Sequence, residues 1–358
     1  MHWLLRVGMT FVGAVSLLAP AASAQLYTQN FETDTTALWT VKIGGDPFPT
    51  DGYADFFFNY ATVGIPPAPS GAGTHGLKLQ ANLFNGNFGG ISVSPMGLNF
   101  TGDYVLRFDW WADFNGPFPG GGSGSTNLST FGVGTAGTFA QWPGGGPDCV
   151  WFGATGDGGS GRDYRAYSTA APTSYPSGDP VYVAPSHVND NTDTYYAGFG
   201  HVPAPAAQLA LFPNQTGLTA VGSAGMAWHR VKITKDNGLV TWEIDALPIA
   251  TIDLSTVSLG GGNIFFGHSD INASTSSPDV NAQFLLFTLI DNVVITRPGV
   301  CGVADLALPF GQLDFSDVIA FLTAFGTMSP AADLAAPFGQ WDFSDVIAFL
   351  TAFGSGCP

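Results

Sequence analysis

Apolar and polar residues alternate with a period of two along most of the chain between residues 25 and 296. Clusters of Gly, Pro, Ser and Asn separate the alternating runs, a pattern that predicts β-strands joined by turns. This span shows no convincing run with the longer period of a helix. The pattern predicts twelve strands: 26–32, 53–60, 76–81, 90–94, 104–114, 128–134, 149–154, 227–235, 240–245, 249–254, 263–268 and 284–296.

So many strands without crossover helices predict an antiparallel two-sheet sandwich or jelly roll, and they exclude a parallel α/β sheet. The run YVLRFDWWAD at 104–113 shows the alternation well. Tyr104, Leu106, Phe108 and Trp110 are expected on one face of this strand, and that face is expected in the core.

Two segments near the end of the chain, 304–326 and 332–354, are identical at all but two positions and are offset by 28 residues. Each contains the run VIAFLTAFG, whose apolar residues follow steps of three and four and predict one amphipathic helix. A single helix of this kind cannot bury its apolar face alone. We therefore expect the two copies to pack against each other.

The first 24 residues predict a signal peptide. Arg6 precedes an apolar run at 7–18, and Ala22-Ser23-Ala24 precedes the expected cleavage site. The run is too short to span a bilayer, and no later run approaches the required length. We expect a secreted chain without a membrane span, divided into a sandwich at 25–297 and a repeat domain at 298–358.

Composition limits the partners. The formal net charge is −17 and the chain contains no basic cluster, which argues against nucleic acid and anionic membranes. Three cysteines in an oxidising compartment allow one disulfide. Cys301 and Cys357 bracket the repeats and are the economical pair, which leaves Cys149 as a buried thiol.

Parts of the sandwich segment resemble concanavalin-A-like, laminin-G-like jelly rolls. The sequence WHRV at 228–231, followed by two strands, is similar to a hairpin of that class. The sequences NFE at 30–32 and IDNV at 290–293 are similar to its first and last strands. The resemblance implies that these terminal strands pair in one sheet.

The cysteine-bracketed pair of repeats resembles the dockerin family, in which paired loop-helix units related to the EF-hand lie between terminal cysteines. The resemblance covers 301–357 and predicts a small all-α, EF-hand-like unit. It implies binding to a cohesin-like or other cell-surface protein, and retention at the cell surface or in an extracellular assembly.

The same resemblance implies degenerate calcium loops. The matching positions are Asp305, Gln312, Asp314 and Asp317 in the first copy and Asp333, Gln340, Asp342 and Asp345 in the second. Apolar residues replace two of the usual ligands, and the remaining oxygens fall short of the six to eight that calcium prefers. Either water completes a weak calcium site, or the Pro-Phe pairs at 309–310 and 337–338 fill each loop without an ion.

Glu32 near the first strand and Asp291 on the last are candidate ligands of a second calcium ion, because hard carboxylate oxygens suit this ion. The alternative is two acidic residues that simply lie beside strand ends.

The sequence WEID at 242–245 resembles part of a motif of glucan-cleaving jelly rolls, in which alternate carboxylates flank the glycosidic bond. The third carboxylate is missing, because Ala246, Leu247 and Pro248 follow. The segment is therefore interpreted as a structural strand, and no catalytic residue is assigned.

Aromatic residues in Gly-rich and Asp-rich segments are candidates for stacking on sugars, with core packing as the alternative. They are Trp142, Trp151, Tyr164 and Tyr167. The sequence predicts a non-catalytic, carbohydrate-binding sandwich carried by a dockerin-like module. A polysaccharide-degrading enzyme on the same anchor and a structural surface protein are the alternatives.

Overall fold

The computed structural model describes residues 25–45, 52–81, 83, 86–118, 126–271, 281–298, 302–307, 313–335 and 340–356. The predicted signal peptide therefore lies outside the described residues. The chain divides into two compact units: Gln25–Gly299 forms one, and the residues from Val300 onward belong to the other. Each unit is described by itself.

The larger unit is a β-sandwich of two antiparallel sheets with a jelly-roll-like arrangement, as the alternating pattern predicts. Its described strands are β1 (Gln25–Gln29), β2 (Trp39–Gly45), β3 (Tyr53–Asn59), β4 (His75–Gln80), β5 (Gly89–Pro95), β6 (Tyr104–Asp113), β7 (Asn127–Thr135), β8 (Val150–Ala154), β9 (Tyr164–Tyr167), β10 (His229–Asp236), β11 (Leu239–Ile244), β12 (Leu247–Asp253), β13 (Asn263–Asp270) and β14 (Phe287–Thr296).

Sheet A has the order β12-β11-β10-β6-β14-β4-β3, and β1 pairs with β14. Sheet B has the order β2-β5-β13-β7-β8-β9. The first and last strands thus pair in one sheet, as the resemblance to the jelly roll implies. Short helices lie between strands, at α1 (Ala206–Leu211) and α2 (Ala282–Leu285).

The main core lies between the two sheets. Strand β6 contributes the four residues expected from its alternation, Tyr104, Leu106, Phe108 and Trp110, and all of them are buried. Phe131 and Phe266 of sheet B meet the ring of Phe108 edge to face at 5.2 and 4.9 Å between centroids. Because residues alternate along a strand, Trp111 lies on the opposite face of sheet A.

The outer face of sheet A is also buried. Trp111 belongs to a second apolar cluster with Tyr60, Ile65 and Met226, which lie in segments that connect the strands. These connecting segments exclude water from a face that a simple sandwich would leave exposed. Many polar residues of the sheets are therefore buried as well, including Asp109, Asp113 and Asp291.

The smaller unit contains two helices, α3 (Phe315–Gly326) and α4 (Phe343–Ser355), each preceded by a described 3-10 turn, Gly302–Ala304 and Pro330–Ala332. The helices fall on the two predicted apolar runs. The structure establishes two loop-helix copies of this kind but does not establish an EF-hand.

Candidate functional site

Each helix of the repeat pair begins at an aspartate that caps it. Asp314 accepts a hydrogen bond from the backbone N–H of Ser316, and the side chain of Asp317 accepts one from the backbone N–H of Asp314. The sequence DFSD therefore forms a capping box, with aspartate in the place of the more usual glutamate. Asp342 and Asp345 repeat the arrangement at the start of α4.

The second aspartate of each box also ties the preceding loop to the helix. Asp317 Oδ1 accepts hydrogen bonds from the N–H groups of Leu306 and Ala307 at 2.7 and 2.8 Å. Asp345 Oδ1 does the same with Leu334 and Ala335 at 2.7 and 2.9 Å. Both oxygens of each buried carboxylate thus face backbone N–H donors.

These bonds affect the charge of Asp345. Burial alone would raise the pKa of this carboxyl, but the N–H groups of Asp342, Ala335 and Leu334 stabilise the anion and hold the pKa below its usual range. A carboxylate that accepts three N–H bonds can remain ionised without a cation.

The predicted calcium ligands do not form a calcium site among the described residues. The first aspartate of each capping box, Asp314 or Asp342, caps its helix. The second, Asp317 or Asp345, faces N–H donors. Asp305 is buried. Asp333 is half-buried, Gln340 is exposed, and Gln312 lies outside the described residues. In the described ranges, no three His, Cys, Asp or Glu side chains could together hold a metal. Much of each predicted loop, including 308–312 and 336–339, lies outside the described residues, so calcium binding by these loops stays a prediction.

The two copies pack against each other, as expected from the repeat. The rings of Phe321 and Phe349 stack with centroids 4.2 Å apart and planes 9° apart. Ala304 and Ala332, from the two 3-10 turns, complete the buried centre. Each helix contacts the opening turn of the other copy. Equivalent residues therefore meet in a pseudo-twofold arrangement.

A second apolar row on each helix points away from this centre. Phe315, Ile319 and Leu322 lie on α3, and Phe343, Ile347 and Leu350 lie at the equivalent positions of α4. Their exposed fractions run from 52% to 74%. The spacing i, i+4, i+7 places each set along one side of its helix. We call these six residues the outer rows, and they are the candidate functional site.

The sequence pattern did not distinguish the outer rows from the apolar residues that pack between the two copies. Both sets follow steps of three and four, so VIAFLTAFG predicts a single broad apolar face. The signal that separates them is that Phe315, three residues before this run, begins a second row that does not include Phe321.

The cysteines are only partly described. Cys149 is a free, buried thiol in a small apolar cluster with Trp151 and Tyr167. Burial raises the pKa of this thiol well above its usual range, so it stays protonated. Cys301 and Cys357, the expected disulfide, lie outside the described residues.

Glu32 and Asp291 bind separate partners in the sandwich. Glu32 accepts the N–H of His75 at 3.0 Å and lies 3.2 Å from its Nδ1. Asp291 accepts the N–H of Asn292 at 2.7 Å and the hydroxyl of Tyr60 at 3.1 Å. Protein donors thus face both carboxylates, and calcium binding by this pair stays a prediction.

Asp291 is nevertheless an unusual acid. Burial raises its pKa to about 7, and the nearby charges of Asp109 and Glu32 add to the effect against the opposing bonds from Asn292 and Tyr60. The segment before β4 covers this region closely. Gly73 has a φ of +103°, which other residues rarely adopt, and lies against the carboxylate of Glu32, so a side chain there would be strained.

Three of the four candidate sugar-stacking rings are buried. Trp151, Tyr164 and Tyr167 are at most 4% exposed, and Trp151 stacks on Tyr167 with centroids 3.6 Å apart. The expectation of exposed rings does not hold for these three. Trp142 is partly exposed and meets Phe88 edge to face at 4.9 Å.

The first three residues of the WEID segment lie in β11 of sheet A, and Asp245 follows in the turn. Trp242 and Ile244 are buried in the core. Glu243 pairs with Lys232 at 2.9 Å, and Asp245 lies 2.7 Å from His229 Nδ1. Both carboxylates thus have protein partners.

Comparison with known proteins gives no family. No family model matches the chain, and no curated protein matches it. Several solved structures are weakly similar. One is a Bacillus subtilis protein of unknown function with a galectin-like fold, at 13% identity, covering 76% of this chain and 96% of that one, with a TM-score of 0.34.

A Bacillus licheniformis β-glucanase matches at 11% identity over 76% of this chain and 97% of its own, with a TM-score of 0.34. The calcium-bound exoplasmic/lumenal domain of VIP36 matches at 9% identity over 75% and 89%, with a TM-score of 0.37. Likenesses this low carry no argument about function, and the architecture of the sandwich follows from its own strand order. No helix in the described part of the chain is long and apolar enough to cross a membrane.

Proposed function

We propose that this chain is a secreted two-part protein in which the repeat pair attaches a non-catalytic β-sandwich to a protein partner outside the cell, in the manner of a dockerin. The observation that supports attachment is the duplicated set of outer rows. Six large apolar side chains exposed in two equivalent rows are unusual for a free surface and typical of a binding surface.

The near identity of the copies supports two equivalent binding faces. Because the two helices present the same residues in the same order, a partner that fits one row also fits the other. Loss of one row should then weaken attachment, whereas loss of both should abolish it.

The experiment adds the purified mature chain to cells of the organism that produces it and measures the fraction retained at the cell surface. We expect Ile319→Asp or Ile347→Asp alone to reduce retention, and the double variant to stay in the medium, because each change places a charge in an apolar contact. Val221→Asp, on an exposed residue of the sandwich, is the matched control. Full retention of the double variant would contradict the proposal.

Carbohydrate binding by the sandwich is the second candidate function. Trp142 supports it, because this indole is the one among the four predicted rings that is not buried. Glu243 and Asp245 pair with Lys232 and His229, and neither is assigned a catalytic role.

A further inference from the structure

The helices of the repeat pair are apolar on two sides. On α3, Val318, Phe321 and Phe325 pack toward the other copy, whereas Phe315, Ile319 and Leu322 do not. A helix that is apolar all round is normally buried on all sides. Among the described residues of this unit, nothing covers the outer row, and its side chains are exposed.

The charges beside the outer rows have one sign. After Arg297 the sequence contains six aspartates and no Lys, Arg or His. Two of these aspartates, Asp314 and Asp342, are exposed and directly precede the first residues of the two rows, Phe315 and Phe343. Each row therefore begins at a carboxylate.

Asp314 favours its charged form. Hydrogen bonds from the hydroxyl and N–H of Ser316 hold the pKa of Asp314 below its usual value. No cation of this part of the chain neutralises Asp314 or Asp342, because the sequence offers none. A partner that covers the rows must therefore accommodate or neutralise two negative charges.

We propose that the outer rows bind a protein surface whose apolar centre is bordered by Lys or Arg side chains. The inference rests on the proposed attachment and specifies the chemistry of the partner. A second copy of this chain is disfavoured, because it would bring the same carboxylates together and the chain has a net charge of −17.

The test uses two defined probes with the full mature chain: an amphipathic helical peptide of Leu and Lys, and its counterpart in which Glu replaces Lys. We expect the Lys peptide to bind and the Glu peptide not to bind, as measured by fluorescence anisotropy. Raising the salt concentration should weaken the binding, because the charges are exposed.

Two sets of variants locate the binding. The double variant Asp314→Asn with Asp342→Asn removes both charges but keeps good helix caps. It should weaken the binding of the Lys peptide about two- to tenfold. Ile319→Asp with Ile347→Asp should abolish binding. Leu322→Ser with Leu350→Ser provides a second, uncharged change to the rows, and circular dichroism verifies that each variant is folded.

The proposal is overturned if the Glu peptide binds as well as the Lys peptide, if the Lys peptide fails to bind, or if the row variants leave its binding unchanged. Self-association of the wild-type chain that the row variants abolish, seen by sedimentation, would also overturn it in favour of a second copy. The two proposals can also be told apart. If the wild-type chain is retained at the cell surface and the row variants are not, but the chain binds the two peptides equally, attachment stands and only the basic border is refuted.

Discussion

Asp291 places a carboxyl group where water cannot solvate its charge. It is 2% exposed on the last strand, and the negative charges of Asp109 and Glu32 act on it. The pKa is about 7 in the folded chain, against about 4 when the chain is unfolded. The folded state therefore binds more protons than the unfolded state between these two pH values.

The sign of the effect on stability follows by linkage. The contribution of Asp291 to stability is present in full below about pH 4 and is lost as the pH rises through 7. Asp291→Asn removes the buried charge, and its side-chain oxygen can still accept the N–H of Asn292. We expect it to raise the free energy of unfolding at pH 8 by about 1–3 kcal/mol, with little change at pH 4.

Thermal unfolding at the two pH values measures this difference. Asp253→Asn is the control, because the carboxylate of Asp253 is exposed and its pKa is lowered by hydrogen bonds to Ser255. It should give no gain at pH 8. An equal gain in both variants would mean that net charge, and not the environment of Asp291, determines the result.

At the scale of the element, the loop before each helix is closed by the protein's own carboxylate. Asp345 holds Leu334, Ala335 and Asp342 through backbone N–H groups. Because its pKa is lowered on folding, the stabilisation is present above its unfolded pKa near 4 and is lost as the pH falls through the folded value.

Asp345→Asn should loosen the second copy, because an amide offers one acceptor oxygen and turns an NH₂ group toward an N–H donor. We expect faster hydrogen exchange in residues 340–356 of this variant, and no change in the wild-type chain on adding EDTA. Asp342→Asn, which keeps a good cap, is the control. Faster exchange of the wild-type loops in EDTA would show instead that calcium closes them.

The elements also show how far the sequence could predict the structure. Each of the twelve predicted strands overlaps a described strand, because alternation fixes which face of a strand is buried. The last one begins at Phe287 and not at residue 284, since residues 284 and 285 belong to helix α2. Strand β2 was missed although Trp39, Val41 and Ile43 alternate, since two glycines end the run. In the structure Val41 and Ile43 are exposed, so this strand buries only part of its apolar face. Strand β9 has four residues, too few to establish a period.

The burial of the candidate sugar-stacking rings was harder to predict, for a physical reason. Trp151 and Tyr167 lie on the outer face of sheet B, which is expected to be exposed in a simple sandwich. Residues distant in sequence bury that face, and no local pattern reports such contacts. In the repeat pair, the sequence predicted that the copies pack together but not which apolar residues remain outside.

In the whole molecule, we assign attachment to the repeat pair and sugar binding to the sandwich. A change in one unit should therefore leave the function of the other intact. Trp142→Ala should weaken binding to a soluble polysaccharide about two- to tenfold, because a partly exposed indole is lost, and should not affect cell retention. Affinity electrophoresis with a panel of polysaccharides measures the binding.

Phe139→Ala is the matched control for that experiment, because Phe139 is exposed and lies three residues from Trp142. It should leave the mobility unchanged. If neither variant binds differently from the wild-type chain on any polysaccharide that retards it, Trp142 is not the sugar-binding residue.

Because the two copies exchange contacts, the peptide that links them helps to hold them together. Each opening turn is covered by the helix of the other copy, so a lone copy holds half of an interface. Two lone copies on separate chains would have to find each other by diffusion. Joining them through residues 327–329 gives an effective concentration on the order of millimolar, which makes the pair independent of how dilute the surroundings are.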